Sequence, residues 1–203
     1  MTDEALLAAW NDGDERAGEQ LFDRHFVPIV RFFRSKVNGE IEELVQETFL
    51  RCVEAKRRFR GEGGFAGFLF GIARHVLLGH YRKQRRTGEV VEIGEVSLHA
   101  LDPRPSAVLT ETREQQVLLE SLRRLPLESQ IILELHYWEN LTSAAIATVL
   151  QVPHGTAQTR IRRARQLLAA EVARWLGPAA PQNLDFEAWA RSLRDRVDHS
   201  ARS

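Results

Sequence analysis

Arg160, Arg162, Arg163 and Arg165 place four guanidinium groups within six positions. A guanidinium is permanently charged and donates in a planar fork, so the chemistry it offers is recognition of phosphates and other oxyanions. Like charges one helical turn apart repel. Plotted at about 100° per residue, Ala157, Ile161, Ala164 and Leu168 fall in one apolar stripe. Thr159, Arg162, Arg163 and Gln166 lie opposite, with Gln158, Arg160 and Arg165 on the flanks. No acid stands between Thr156 and Ala170, so nothing on this helix offsets the repulsion. A solvated face is the plain alternative, but a polyanion outside the chain would supply the missing charge. Nucleic acid is the leading candidate.

A second cluster lies in RFRGEGGFAGFLFGIARHVLLGHYRKQRR. It joins a glycine loop to Phe59, Phe65, Phe68, Phe70 and Tyr81, and ends in Arg82, Lys83, Arg85 and Arg86. Basic charge interleaved with aromatic rings is how proteins grip single-stranded bases, by stacking and phosphate contact. Leu69, Ile72, Ala73 and Val76 share helical spacing with those rings, so for each ring core and base-stacking both stay open. No catalytic constellation accompanies the cluster. His75 and His80 stand five apart, a poor spacing for a metal pair on a helix, and no cofactor is expected. The single cysteine, Cys52, excludes an internal disulfide and a thiolate zinc site. Its apolar helical setting predicts a buried core thiol.

The elements that must position these residues are helices. ALLAAW predicts a short first helix, broken by Asn11-Asp12-Gly13. Asp14 then caps a longer one with Ala17, Leu21, Phe22, Phe26, Ile29, Val30 and Phe33 on its apolar face. IEELVQETFLRCVEAKRRF and FAGFLFGIARHVLLGHYRKQRR predict a third and fourth. From Thr87 to about Ser106 the periodicity fades among acids, glycines and prolines, which reads as a flexible linker in which EVVEIGEV could form a short strand. Helices resume near Thr110, turn at Leu125-Pro126, and continue through QIILELHYW. Thr142 is an N-cap signal for a short helix bearing Ile146, Val149 and Leu150, and Pro153 suits the start of the next helix. A short helix, a tight turn and a longer basic helix make a helix-turn-helix, whose second helix enters the major groove. Beyond Gly177, Phe186, Trp189, Leu193 and Val197 predict an amphipathic helix that docks back on the protein's own domains.

The chain has 203 residues and a formal net charge of zero, which hides segregation. Residues 51–86 carry ten Lys/Arg against two acids, residues 87–120 seven acids against two arginines, and residues 142–175 five arginines against Glu171. Two basic blocks separated by an acidic one imply two nucleic-acid surfaces and a connector. No apolar run reaches membrane-spanning length, and the acidic start MTDEALLAAW argues against a secretory signal. A cytoplasmic protein without a membrane partner is expected.

Taken together, these segments resemble the sigma-70 family of bacterial sigma factors, extracytoplasmic-function (ECF) type, over about residues 3–175. EELVQETFLRC followed by RFRGEGGFAGFLFGIARH resembles the most distinctive stretch of the family's region 2, and LRRLPLESQIILELHYWENLTSAAIATVLQVPHGTAQTRIRRARQLL resembles region 4. Departures are local. Phe68 stands where tryptophan is usual and His75 where asparagine is common; Ala145 replaces a frequent acid, Gln151 a frequent turn glycine, and Gln158 a frequent basic residue.

The resemblance implies roles. Glu43, Leu44, Gln46, Glu47 and Phe49 correspond to the surface that docks on RNA polymerase core enzyme. Arg60, Gly61, Phe65, Phe68, Arg74 and His75 correspond to the loop and helix that capture unpaired −10 bases, with Arg82, Lys83, Arg85 and Arg86 on the neighbouring backbone. Gln158, Thr159, Arg162 and Arg163 correspond to readers of the −35 duplex, with Arg160 and Arg165 as phosphate clamps. An anti-sigma protein is a further partner that the resemblance makes plausible.

The resulting expectation is an all-α chain: residues 1–86 as sigma region 2, 87–109 as linker, 110–176 as region 4, and 177–203 as an extension with one amphipathic helix. It would bind core polymerase, place it on promoter DNA and promote opening, with no enzymatic activity of its own. A stand-alone helix-turn-helix regulator with a sensing amino-terminal half is the alternative, and a nucleic-acid enzyme targeted by its helix-turn-helix a third.

Overall fold

The computed structural model describes residues 1–37, 41–86 and 113–177, and every regular element among them is helical. In chain order these are α1 (Asp3–Asn11), α2 (Glu15–Arg34), α3 (Glu42–Ala55), α4 (Gly64–Arg86), α5 (Arg113–Arg123), α6 (Leu127–Tyr137), α7 (Ser143–Leu150) and α8 (His154–Leu176), with one 3₁₀ turn at Lys56–Arg58 after α3. The acidic linker, the EVVEIGEV segment and the carboxy-terminal amphipathic stretch lie outside the described residues. The chain divides into two compact units, Met1–Val90 with Leu141–Ala157, and Val91–Asn140 with Gln158–Ser203. The first gathers α7 with α1 to α4, a grouping that follows contact rather than chain order.

The expected caps are present. The Asp14 carboxylate accepts from the Arg16 and Ala17 amides at 3.0 and 3.3 Å, which starts α2 where the sequence placed it. In the first unit Leu6, Leu21, Ile29, Phe33, Leu69 and Leu77 are fully buried, each worth about 1.5–3 kcal/mol of transfer free energy. α1 is held at both ends. Trp10 lies so close over Gly18 that a Cβ there would sit 2.6 Å from the indole, and Lys56 Nζ stands 3.7 Å above the same ring. At the other end Asp3 receives Arg24 at 2.9 Å and lies 2.6 Å from His25 Nε2. Burial alone would raise the Asp3 pKa, but the hydrogen bonds to His25 and Arg24 outweigh it and hold the carboxyl below its ordinary value. The Tyr81 hydroxyl donates to the Lys36 carbonyl at 2.5 Å, tying α4 to the chain just past the end of α2.

In the second unit Gln130 Nε2 donates to the carbonyls of Leu125 (2.7 Å) and Arg123 (3.3 Å), sealing the turn that Pro126 makes between α5 and α6. Leu125, Leu127, Ile131 and Ile132 form its buried centre. The apolar stripe of α8 is buried as its spacing predicts, at Ala157, Ile161, Ala164 and Leu168, and Val172 extends it by one turn.

Candidate nucleic-acid interface

On α8 the face opposite the buried stripe is open. Gln158, Thr159, Arg162 and Arg163 are exposed, and among the described residues neither Arg162 nor Arg163 is ion-paired. Arg165 is also exposed, its guanidinium 6.0 Å from the centre of the Tyr137 ring. Arg160 differs. It pairs with Glu128 of α6, so one of the four like charges is offset inside the chain by an acid on another element. A count confined to the helix itself could not find that partner, because Glu128 is 32 residues away.

The short helix before this one starts at Thr142, whose hydroxyl accepts from the Ala145 amide at 3.2 Å. Gln151 ends it in the left-handed region, at φ 57° and ψ 47°, a conformation that favours glycine. Ser143 Oγ and His154 Nε2, 2.7 Å apart, bridge the turn. Thr142 is therefore a cap, as its position predicted.

The amino-terminal cluster divides by exposure. Arg60, Gly61, His75, Arg82 and Lys83 are exposed, Phe68 and Arg74 are half-buried, and Phe65 is 1 % exposed. The structure thus puts Phe65 in the core, its ring 6.3 Å from Phe68, 6.5 Å from Phe59 and 5.3 Å from His25. In this arrangement it braces Phe68 from behind and cannot itself meet a base. Phe70 and Tyr81 are core as well, at 1 % and 2 % exposed. His75, exposed on α4, donates from Nδ1 to the Gly71 carbonyl at 3.0 Å. Gly67, Gly71, His75 and Arg82 share an arc of about 80° on α4, with Phe68 beside it.

On α3, Glu43, Gln46 and Glu47 lie on the open side while Leu44 and Phe49 are buried. Phe49 packs on Phe22 at 4.6 Å and stacks on the half-exposed Phe26 at 6.2 Å. Two residues that the sequence reading passed over share the open face: Leu50 and Val53, 56 % and 41 % exposed. A leucine and a valine among acids and an amide, at the same helical phase, was a signal available from the sequence. The face is an apolar centre with a polar rim, the pattern of a protein interface. Cys52, on the opposite side of α3, is fully buried, and burial pushes its thiol up to about 12. It is a core residue and not a nucleophile.

Among the described residues no group of histidines, cysteines and carboxylates is arranged to hold a metal, and no helix is long and apolar enough to cross a membrane.

Residues 21–87 match the family described as Sigma-70 region 2, and residues 115–168 match Sigma-70, region 4. The ECF RNA polymerase sigma-E factor of Haemophilus influenzae is 25 % identical over 181 residues, covering 85 % of this chain and 96 % of that protein. The factor of the same name from Escherichia coli is 23 % identical over 181 residues, covering 85 % and 95 %. Among solved structures, CnrH in complex with the cytosolic domain of CnrY matches with a TM-score of 0.61 at 24 % identity, over 85 % of this chain and 97 % of that one.

Proposed function

The chain belongs to the sigma-70 family, in its ECF branch, and from that premise we propose how its surfaces divide the work of transcription initiation. As a sigma factor it directs RNA polymerase to promoters. The open face of α3, with Glu43, Gln46 and Glu47 around Leu50 and Val53, docks on core enzyme. Arg60, Gly61, Phe68, Arg74 and His75 take up unpaired −10 bases, with Phe65 as the brace behind Phe68, and Arg82 and Lys83 hold the adjoining backbone. Extruding a base costs a few kcal/mol, which stacking on Phe68 and hydrogen bonding to His75 would recover. Gln158, Thr159, Arg162 and Arg163 read the −35 duplex while Arg160 and Arg165 clamp phosphates. The domains expected from the sequence, 1–86 for the −10 element and 110–176 for the −35 element, carry these tasks in the cytoplasm without enzymatic activity of their own. A protein inhibitor of the anti-sigma class is a further partner, a reading supported by the complex in which CnrH was solved.

One observation carries the division: Arg162 and Arg163 stand exposed, and without an ion pair among the described residues, on the face opposite a buried stripe. A stand-alone regulator is not favoured, because both sigma regions match in order. Run-off transcription with core enzyme across a promoter library tests the proposal. Transcription that depends on this chain and fails with Gln46→Ala/Leu50→Ala supports it; binding to DNA with no affinity for core enzyme would sink it.

A further inference from the structure

A relay of side chains runs from α1 to the ring assigned above to the −10 bases. Arg24 Nη1 donates to Asp3 Oδ1 at 2.9 Å and to the Met1 carbonyl at 3.0 Å, which fixes the carboxylate against the chain start. The other oxygen, Oδ2, stands 2.6 Å from His25 Nε2. Asp3 is ionised at neutral pH, its carboxyl held below the ordinary value, so the oxygen accepts and Nε2 carries the proton. That orients an imidazole only 12 % exposed, whose ring lies 5.3 Å from Phe65 at 59°. Phe65 passes the constraint on. Its ring is 6.3 Å from Phe68 and 6.5 Å from Phe59, and Phe59 is 5.3 Å from Phe68. Phe68 in turn lines a cavity of about 340 Å³ with Arg51 and His75.

The relay starts outside the region-2 match, which begins at residue 21, whereas His25, Phe65 and Phe68 lie within it. α1 also meets the first turn of α4 directly, because Glu4 Oε1 stands 3.5 Å from the Cβ position of Gly64. We propose that Asp3 and His25 are positioning residues for −10 capture: Asp3 fixes the imidazole, the imidazole fixes Phe65, and Phe65 sets the angle at which Phe68 meets an unpaired base. Neither Asp3 nor His25 touches the base. Aromatic pairs favour particular offsets and tilts, so a small pivot of Phe68 weakens stacking while the unit stays folded. A binding ring is precise only when the residues behind it are themselves locked. This proposal rests on the −10 assignment of Phe68.

The probe is a single-stranded non-template oligonucleotide from a promoter selected with wild-type holoenzyme, carrying 2-aminopurine at a −10 adenine. It is titrated with holoenzyme that contains the full-length chain. The titration gives the affinity, and emission at saturation reports how the captured base is stacked, a signature that lost stability alone does not move. Phe68→Leu sets the unstacked value. His25→Gln keeps an N–H for Asp3 but offers Phe65 no ring. It and Asp3→Ala should each bind at least about fivefold more weakly, the lower end of what one stacked base contributes. Their saturated emission should move toward the Phe68→Leu value. The double variant should be no worse than the weaker single, since both act on one path. Asp3 is half-buried beside the chain start, so Asp3→Ala spares the core and keeps the test open should His25→Gln unfold. Lys56→Met is the control: it removes the cation 3.7 Å over Trp10 at the other end of α1 and should leave the saturated emission unchanged. Wild-type affinity and emission in Asp3→Ala and His25→Gln, with Phe68→Leu altered, would overturn the relay. Additive losses in the double variant would overturn the shared path. An equal change in Lys56→Met would overturn the relay by assigning the effect to any loosening of α1. Wild-type emission in Phe68→Leu would overturn the −10 assignment, and the relay with it.

Discussion

Arg160 of α8 is held by Glu128 of α6, whereas its neighbours Arg162 and Arg163 meet no acid among the described residues. Both members of the pair are about two-fifths exposed, so the bridge contributes little to stability, at most about 1 kcal/mol. Its effect falls on the free charge available to DNA.

Glu128→Ala should therefore leave the thermal midpoint nearly unchanged and strengthen binding to every −35 duplex alike, with a steeper salt dependence as Arg160 is released. Arg162→Ala and Arg163→Ala should instead alter discrimination between −35 sequences, by about 1–3 kcal/mol each where a bidentate base contact is lost. Binding measured on a panel of −35 variants at two salt concentrations separates the two effects.

Phe65 and Phe68 are adjacent rings with different expected outcomes. Phe65→Leu truncates a side chain that is 1 % exposed and should cost about 1–3 kcal/mol, read as a lower denaturation midpoint. Phe68→Leu, half-buried at the cavity, should keep most of the stability and lose promoter opening, read by permanganate reactivity of unpaired thymines.

Gln151 adopts φ 57°, which costs a residue with a Cβ roughly 1–2 kcal/mol. Gln151→Gly should raise the denaturation midpoint, less glycine's own entropic cost of up to about 1 kcal/mol. Gln151→Val, branched at Cβ, should lower it. Urea titrations of the three proteins give the order.

The buried Cys52 thiol should resist an aromatic disulfide reagent at pH 8 in the native protein and react once the chain is unfolded. Its pKa is raised from 9.0 to about 12 on folding, so the folded state keeps its proton longer than the unfolded state does. The stability from this group is present below about pH 9 and is lost as pH rises from there toward 12. Relative to Cys52→Ala, the native protein should lose stability across that window.

What the sequence determined by itself was local. Asp14 and Thr142 mark helix starts because a side-chain oxygen caps amides two or three residues on, and Leu125-Pro126 marks a turn because proline cannot continue a helix. The stripe Ala157, Ile161, Ala164 and Leu168 was legible because the helical period alone decides which residues share a face. Periodicity could not sort the rings of α4, since Phe65, Phe68 and Phe70 stand two or three residues apart and only packing against His25, Phe32 and Phe59 decides which are buried. Nor could it pair Arg160 with Glu128, or set Ala145 against Gly67, because both contacts join residues far apart in the chain. Their partners are chosen by how helices meet, and neither helix records that choice in its own spacing.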